Sequence, residues 1–209
     1  MRILAVDTSL GACSAALLEN GEVLAHCFVP MERGHAEALG PMVAKIVDGC
    51  EFSSLDRLAV TTGPGTFTGQ RVGLAFMRGL RLALNVPLIG ITSLAAMAEQ
   101  ARSEFGTAHA AALHHAKRGE VYFEMDEGPV LLAFEDAVTT LRGARGTIAL
   151  AGTAAPQAME AMNEGFLLSA VRQPDASWVA KLAAQAPALD ASPKPIYLRA
   201  PDARLPSAP

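Results

Sequence analysis

Short apolar runs broken by turn residues open the chain. Residues 2–7, 13–19 and 22–29 are rich in apolar and β-branched side chains and read as three strands. Asp7-Thr8-Ser9-Leu10-Gly11 supplies turn chemistry after the first, and Asn20-Gly21 is a two-residue hairpin signal after the second. The period then changes. Leu39, Met42, Val43, Ile46 and Val47 recur at helical spacing within residues 35–50, where Gly40-Pro41 either starts the helix or kinks it. Residues 57–62 read as a buried strand, ended by Gly63-Pro64-Gly65-Thr66-Phe67-Thr68-Gly69. Three glycines and a proline in seven residues continue neither strand nor helix and turn the backbone sharply. A helix from Gln70 to about Leu84, a strand at 86–91, and a helix from Thr92 or Ser93 to about Phe105 complete a β-β-β-α-β-α-β-α order.

The second half is shorter. Residues 108–115 and 120–126 flank Ala116-Lys117-Arg118-Gly119 and read as a hairpin. Residues 131–141 hold an apolar stretch with a short helix from Phe134; 147–151 reads as a strand, and 156–164 and 177–185 as helices. The expected organisation is one lobe at 1–105, a smaller lobe at 106–190, and a tail at 191–209 that could return to the first lobe. Six prolines from Pro187 onward mark that tail, and its last part reads as a mobile end. The two lobes form a weak pseudo-repeat.

The helix after the glycine-rich turn has two apolar sides. Val72, Phe76, Gly79, Leu80 and Ala83 share one; Leu74, Met77 and Arg81 project from another. Such a helix packs against more than one thing: its own core, and a second domain or a second protein. Thr66 and Thr68 are candidate caps. A strand, glycine-rich turn and helix start suggest an anion cradle. A nucleotide P-loop, however, needs Gly-Lys-Ser/Thr, and here Gly69 precedes Gln70-Arg71, so a structural tight turn is the expected reading.

Composition narrows the function classes. A chain of 209 residues with 51% apolar side chains forms a core rather than a disordered segment. A net charge of −4 argues against free-standing nucleic-acid binding, though not against a subunit of a complex whose partner carries the basic surface. Cys13, Cys27 and Cys50 are odd in number and widely spaced, which fits core thiols in a reducing cytosol rather than a disulfide framework. The N-terminal apolar run is too short for a signal peptide, and no run reaches the ~18 apolar residues of a membrane span.

The element order is that of a lobe of the actin/hexokinase/heat-shock ATPase superfold, whose first hairpin turn meets phosphates. The expected fold is therefore α/β and actin-like (ASKHA), with mixed sheets flanked by helices and a reduced second lobe. Five ordered motifs sharpen this: MRILAVDTS at 1–9, GPGTFTGQRVGLAFMRG at 63–79, PLIGITSL at 87–94, KRGEVY at 117–122 and PIYLR at 195–199. In that order they resemble the TsaB (YeaZ) family, closely over 1–125 and only through PIYLR near the end. The motif residues carried over are Asp7, Thr8, Ser9, Gly63, Pro64, Gly65, Gly69, Arg71 and Gly73.

The resemblance implies a cytoplasmic, non-catalytic subunit that binds TsaD and is needed for threonylcarbamoyl transfer to the tRNA adenosine next to the anticodon. It implies further that TsaE joins the wider complex, that tRNA is met through the complex, and that the chain pairs with itself when TsaD is absent. ATP and a metal ion would belong to the partner subunits, and no membrane is involved. TsaD carries a His-x-x-x-His metal motif at a helix start; the matching positions here are Ser93 and Met97, which cannot replace histidines as ligands for a hard or borderline ion. The first turn has Ser9 where superfold kinases have glycine, and the second phosphate turn, Ala151-Gly152-Thr153-Ala154, keeps one glycine. Both turns are degraded, so no catalytic, cofactor or metal site is expected in this chain alone.

The expected partner surface is the pair of helices at 35–50 and 70–84. Leu39, Met42, Val43, Ile46, Leu74 and Met77 are its apolar candidates, and Arg71, Arg78 and Arg81 are either a solvated stripe or part of the interface. His35 reads as a capping or surface residue. His114 and His115 point to opposite faces of a strand, and a metal site with His109 is not expected. Asp7 reads as a structural turn residue more readily than as a catalytic carboxylate. The competing reading is a stand-alone actin-like small-molecule kinase or a glycoprotease-type peptidase. A peptidase needs a nucleophile with a base or a metal cluster, and no such pattern is visible.

Overall fold

The computed structural model describes residues 1–162, 164–188 and 191–199. Strands β1 (Arg2–Asp7), β2 (Ala12–Glu19) and β3 (Glu22–Pro30) form the expected meander, followed by α1 (His35–Ile46), β4 (Arg57–Thr61), α2 (Phe67–Leu84), β5 (Leu88–Ile91) and α3 (Ser93–Phe105). The first sheet has the order β3-β2-β1-β4-β5. The β1/β2 and β2/β3 pairs are antiparallel, and β1/β4 and β4/β5 are parallel.

The second half repeats this plan. Strands β6 (His109–His115), β7 (Glu120–Glu124) and β8 (Val130–Ala133) form a second meander, then α4 (Phe134–Gly143), β9 (Ile148–Ala151), α5 (Ala155–Glu160), β10 (Phe166–Leu168) and α6 (Ala176–Gln185). The sheet order is β10-β9-β6-β7-β8. The β6/β7 and β7/β8 pairs are antiparallel, and β9 runs parallel to both β6 and β10. This doubled mixed sheet with helices on its faces is the actin-like arrangement. Its second unit is reduced in strand length, not in strand number.

Strand alternation builds the layers. Leu4, Val6, Cys13, Ala15 and Leu17 point to α1 and α2, where Leu39, Met42, Val43, Ile46, Leu74 and Met77 complete the core. Ile3, Ala5, Ala16 and Leu18 point the other way, onto Ala176, Val179, Ala180 and Ala183 of α6. Alanine on alanine allows the last helix to lie close on the first sheet. Asp175 caps α6 by accepting from Ser177 N, Ser14 Oγ accepts from Ala176 N, and Arg57 reaches the carbonyls of Ala183 and Ala186 at its far end. In the second sheet, Ala111 and Leu113 face α4 and α5, while Ala110 and Ala112 face α3. Each unit's third helix thus covers the other unit's sheet.

Several elements differ from expectation. Helix α1 starts at His35 and runs through Pro41, which sits on its exposed side. Helix α2 starts at Phe67 because Thr66, not Thr68, is the cap; Thr66 Oγ1 accepts from Gly69 N. Strands β8 and β10 were not expected, being four and three residues long. The mobile end expected for the last part of the tail lies outside the described residues. Among the described residues no helix is long and apolar enough to cross a membrane.

The largest correction concerns the candidate interface. Leu39, Met42, Val43, Ile46, Leu74 and Met77 are all buried in this chain's own core, with Met77 at 0% exposure. They face the first sheet, so they present nothing to a partner. The exposed side of α2 is instead Thr68, Arg71, Ala75, Gly79, Leu82 and Ala83, flanked by Phe67 at 54% exposure. Met77→Ala is expected to lower unfolding free energy by about 2–4 kcal/mol. Leu82→Ala, at a side chain 85% exposed, should stay within about 0.5 kcal/mol of the parent in the same urea titration.

Candidate functional site

The first turn and the start of α2 are locked together by backbone contact. Thr8 Oγ1 donates to Gly69 O at 2.7 Å and accepts from Gly73 N at 3.0 Å. Thr66 N donates to Ser9 O at 2.8 Å. Gly65, Gly69 and Gly73 are four residues apart, and the turn lies along them. A Cβ at Gly65 would sit 2.2 Å from Ser9 O, and one at Gly69 would sit 2.1 Å from Thr8 O. The absence of side chains at these positions is therefore required by close approach.

Asp7 lies beneath this junction and is fully buried. Its Oδ1 accepts from Ser9 N, Ser9 Oγ and Thr61 Oγ1, and its Oδ2 is buried without a partner. Burial pushes its carboxyl up to about 6, against the hydrogen bonds from Ser9 and Thr61 and the nearby His35. His35 is itself buried, and its Nε2 is 3.1 Å from Leu10 O. It pins the first turn to α1 rather than capping a helix or lying on the surface. Gly63 and Pro64 are joined by a cis peptide. Their carbonyls accept from Ser93 N and Ser93 Oγ respectively. Ser93 therefore anchors the loop, and Met97 is fully buried beside α3's sheet contacts. Both positions where a His-x-x-x-His pair would stand are committed to packing.

Arg71 and Arg78 have partners within the chain. Arg71 Nε donates to Tyr197 Oη at 2.9 Å, and its guanidinium lies 3.5 Å from the Phe67 ring centroid. Arg78 donates to Pro193 O. Ile196 N donates to Thr62 O at 2.8 Å, and Arg199 binds Lys117 O and Glu120. Residues 193–199 thus form a strap from the first sheet to the β6–β7 turn. Of the arginines considered for an interface, Arg71 remains exposed beyond this contact, while Arg78 and Arg81 are half-buried. The sequence signals for the strap were the PIYLR motif and a tail read as able to return to the first lobe; its hold on the β6–β7 turn had no local signal.

The strap forms one wall of a cleft of about 600 Å³. Leu10, Phe67, His114, Lys117, Tyr122 and Tyr197 are among its lining residues. In the two turns beside it, several amides that could face an anion are engaged within the fold. Ser9 N binds Asp7, Thr66 N binds Ser9 O, Gly152 N binds Val171 O, and Ala154 N binds Leu113 O. Thr153 Oγ1 accepts from His115 N. These four amides are therefore not free to cradle a phosphate.

The remaining titratable groups scatter. His114 is buried and faces the cleft, His115 is exposed, and His109 stands at the far end of β6, 4.0 Å from Asp126. Among the described residues no cluster of three His, Cys, Asp or Glu side chains could hold a metal. Burial lowers the His114 imidazole to about 4, with His115 adding to the effect. Burial raises the Cys13 thiol to about 11, so it is a packed thiol and not a nucleophile. Glu124 was missed by sequence reasoning. It accepts from Thr92 Oγ1 at 2.6 Å, joining β7 to the cap of α3, and burial pushes it up to about 7 against that bond and the Ala95 N–H.

Comparison with known proteins follows the same lines. The family model for TsaD, tRNA N6-adenosine threonylcarbamoyltransferase, matches residues 27–172. The tRNA threonylcarbamoyladenosine biosynthesis protein TsaB of Escherichia coli is 39% identical over 135 residues, covering 62% of this chain and 58% of that protein. Its Haemophilus influenzae counterpart is 38% identical over 125 residues, covering 59% and 52%. The matched region therefore spans a little over half the length of these curated relatives. The solved structure of YeaZ from Pseudomonas aeruginosa superposes with a TM-score of 0.79 at 31% identity, covering 94% of this chain and 99% of that one.

Two tests follow from the geometry. Gly69→Ala is expected to cost about 2–3 kcal/mol in urea unfolding, because the new methyl group meets backbone. Gly79→Ala on the same helix meets nothing within 4 Å and should gain up to about 1 kcal/mol. The second test uses pH. Glu124 ionises at about 7 in the fold against 4.5 for the free group, so the unfolded chain loses its proton first. Its contribution to stability falls as pH rises from about 4.5 to 7. Asp7 acts in the same direction and His114 in the opposite one, so the informative quantity is a difference between variants. Glu124→Gln should raise the urea midpoint relative to the parent at pH 8, and this advantage should shrink towards pH 4.5.

Proposed function

This chain belongs to the TsaB (YeaZ) family, and from that premise we propose that it serves tRNA threonylcarbamoyladenosine synthesis as a non-catalytic subunit that docks TsaD. The observation that carries the proposal is the outer side of α2. Ala75 and Gly79 leave the middle of that side flat, while Phe67 and Leu82 stand exposed towards its two ends. Small residues at the centre let a second helix approach closely, and large apolar residues at the ends supply anchors. Helix α1 packs beside it and exposes Glu37, Pro41, Ala44 and Lys45, which extends the surface with a polar border.

Catalysis is assigned to the partner. Asp7 is buried, the phosphate turns are engaged within the fold, and Ser93 and Met97 are structural. On this reading ATP and metal belong to the other subunits, TsaE joins the assembly, and tRNA is met through the complex. When TsaD is absent, the same side of α2 closes on a second copy of this chain. The assembly works in the cytoplasm with its tRNA substrate.

The test is co-purification with TsaD from the same organism, followed by a threonylcarbamoyl-transfer assay with each protein omitted in turn. The pair should form, and transfer should require both. Ala75→Arg and Leu82→Asp should each weaken the pair at least tenfold while leaving the fold intact by circular dichroism. Turnover by this chain alone, or unchanged pairing in both variants, overturns the proposal.

A further inference from the structure

The cleft behind the strap carries more chemistry than docking on α2 requires. His114 and Tyr122 are directly opposed in the β6/β7 ladder, so their side chains emerge side by side on the face that lines the cleft. His114 is 8% exposed, and no ring nitrogen has a hydrogen-bond partner among the described residues. Its Nδ1 is buried and unpaired, which leaves Nε2 as the nitrogen that reaches the cleft. An orphaned buried N–H costs more than an orphaned lone pair, so the proton is assigned to Nε2. The ring is neutral at physiological pH, because burial lowers it to about 4. The floor therefore offers a fixed neutral donor.

Lys117 adds a cation at the rim. Its ammonium has no partner among the described residues, whereas Arg199 is paired with Glu120. Glu32 lines the opposite charge into the same cleft. Among the described residues the cleft therefore holds little net positive charge, and a polyphosphate would bring several negative charges to one cation without an acidic partner. Ser9 N and Thr66 N, already bonded within the fold, add nothing for it. A single carboxylate matches the donors present. Phe67, Tyr197 and Leu198 supply an apolar wall for the body that carries it, and about 600 Å³ is the size of an ordinary small-molecule site.

We propose that this cleft binds a small organic carboxylate with an apolar or aromatic body, its anion held by the His114 Nε2–H and the Lys117 ammonium. Tyr122, opposite His114 in the ladder and lining the same cleft, carries a further hydroxyl donor. A zwitterionic amino acid shares this chemistry and would also address Glu32. Strap and ligand then close the two lobes together, whether or not TsaD is docked.

The experiment titrates the full chain with 3-phenylpropionate, phenylalanine, ATP and inorganic phosphate, reading thermal shift and the nitrogen-15 resonances of the histidine side chains. Saturable stabilisation by 3-phenylpropionate or phenylalanine, with a shift of the His114 ring signals, supports the proposal. Lys117→Ala, at an exposed side chain, should weaken that binding by about tenfold without altering the fold. His114→Gln keeps an N–H donor and should bind better than His114→Phe. No saturable response to either carboxylate up to about 10 mM overturns the proposal. So does unchanged affinity in Lys117→Ala, or a response to ATP or phosphate alone.

Discussion

One threonine hydroxyl, shared between two glycine backbones, fixes the centre of this molecule. Thr8 Oγ1 bonds Gly69 O and Gly73 N, and this brings the first turn against the start of α2 at a separation no side chain could share. The rest of the first unit follows. Ser9 O receives Thr66 N, Asp7 is covered and gathers Ser9 and Thr61, and Ser93 holds the carbonyls of the loop from the far side. With α2 placed by backbone contact at one end, its Leu74 and Met77 are driven into the core and its other side is left to solvent.

The same junction ties up part of the first turn's backbone. Ser9 N is bonded to Asp7 and Thr66 N to Ser9 O, so these amides hold the structure together. The strap follows from the arginines of α2. Arg71 and Arg78 reach the tail, the tail reaches the β6–β7 turn through Arg199, and a cleft remains between them. Helix α2 therefore stands at the meeting of core, strap and the proposed partner surface.

Much of this was legible in the sequence. The element order of the first half, the Asn20-Gly21 hairpin, the glycine-rich break and the start of α3 at Thr92 or Ser93 are local signals, and they hold. Both apolar sides of α2 were visible, but periodicity cannot say which one meets a sheet. The sheet's position is set by long-range pairing of β1 with β4, so Leu74 and Met77 fell to the core and Leu82 to the surface. His35 misled for a similar reason, since its partner is a carbonyl 25 residues away. Strands β8 and β10 are too short to show a period. The His114–Tyr122 pair could have been found only by fixing the hairpin register, which the Lys117-Arg118-Gly119 turn leaves open. Glu124 has no local signature at all, because its burial comes from α3.

The claim on which the account rests is that the outer side of α2 is the docking surface. Methyl NMR of this chain, recorded before and after adding TsaD, addresses it residue by residue. The account predicts that the methyl signals of Ala75, Leu82 and Ala83 shift or broaden, while those of Ile196 and Leu198 beside the cleft change little. Perturbation centred on the cleft or on the edge strand β10, with Ala75 and Leu82 unmoved, would contradict it.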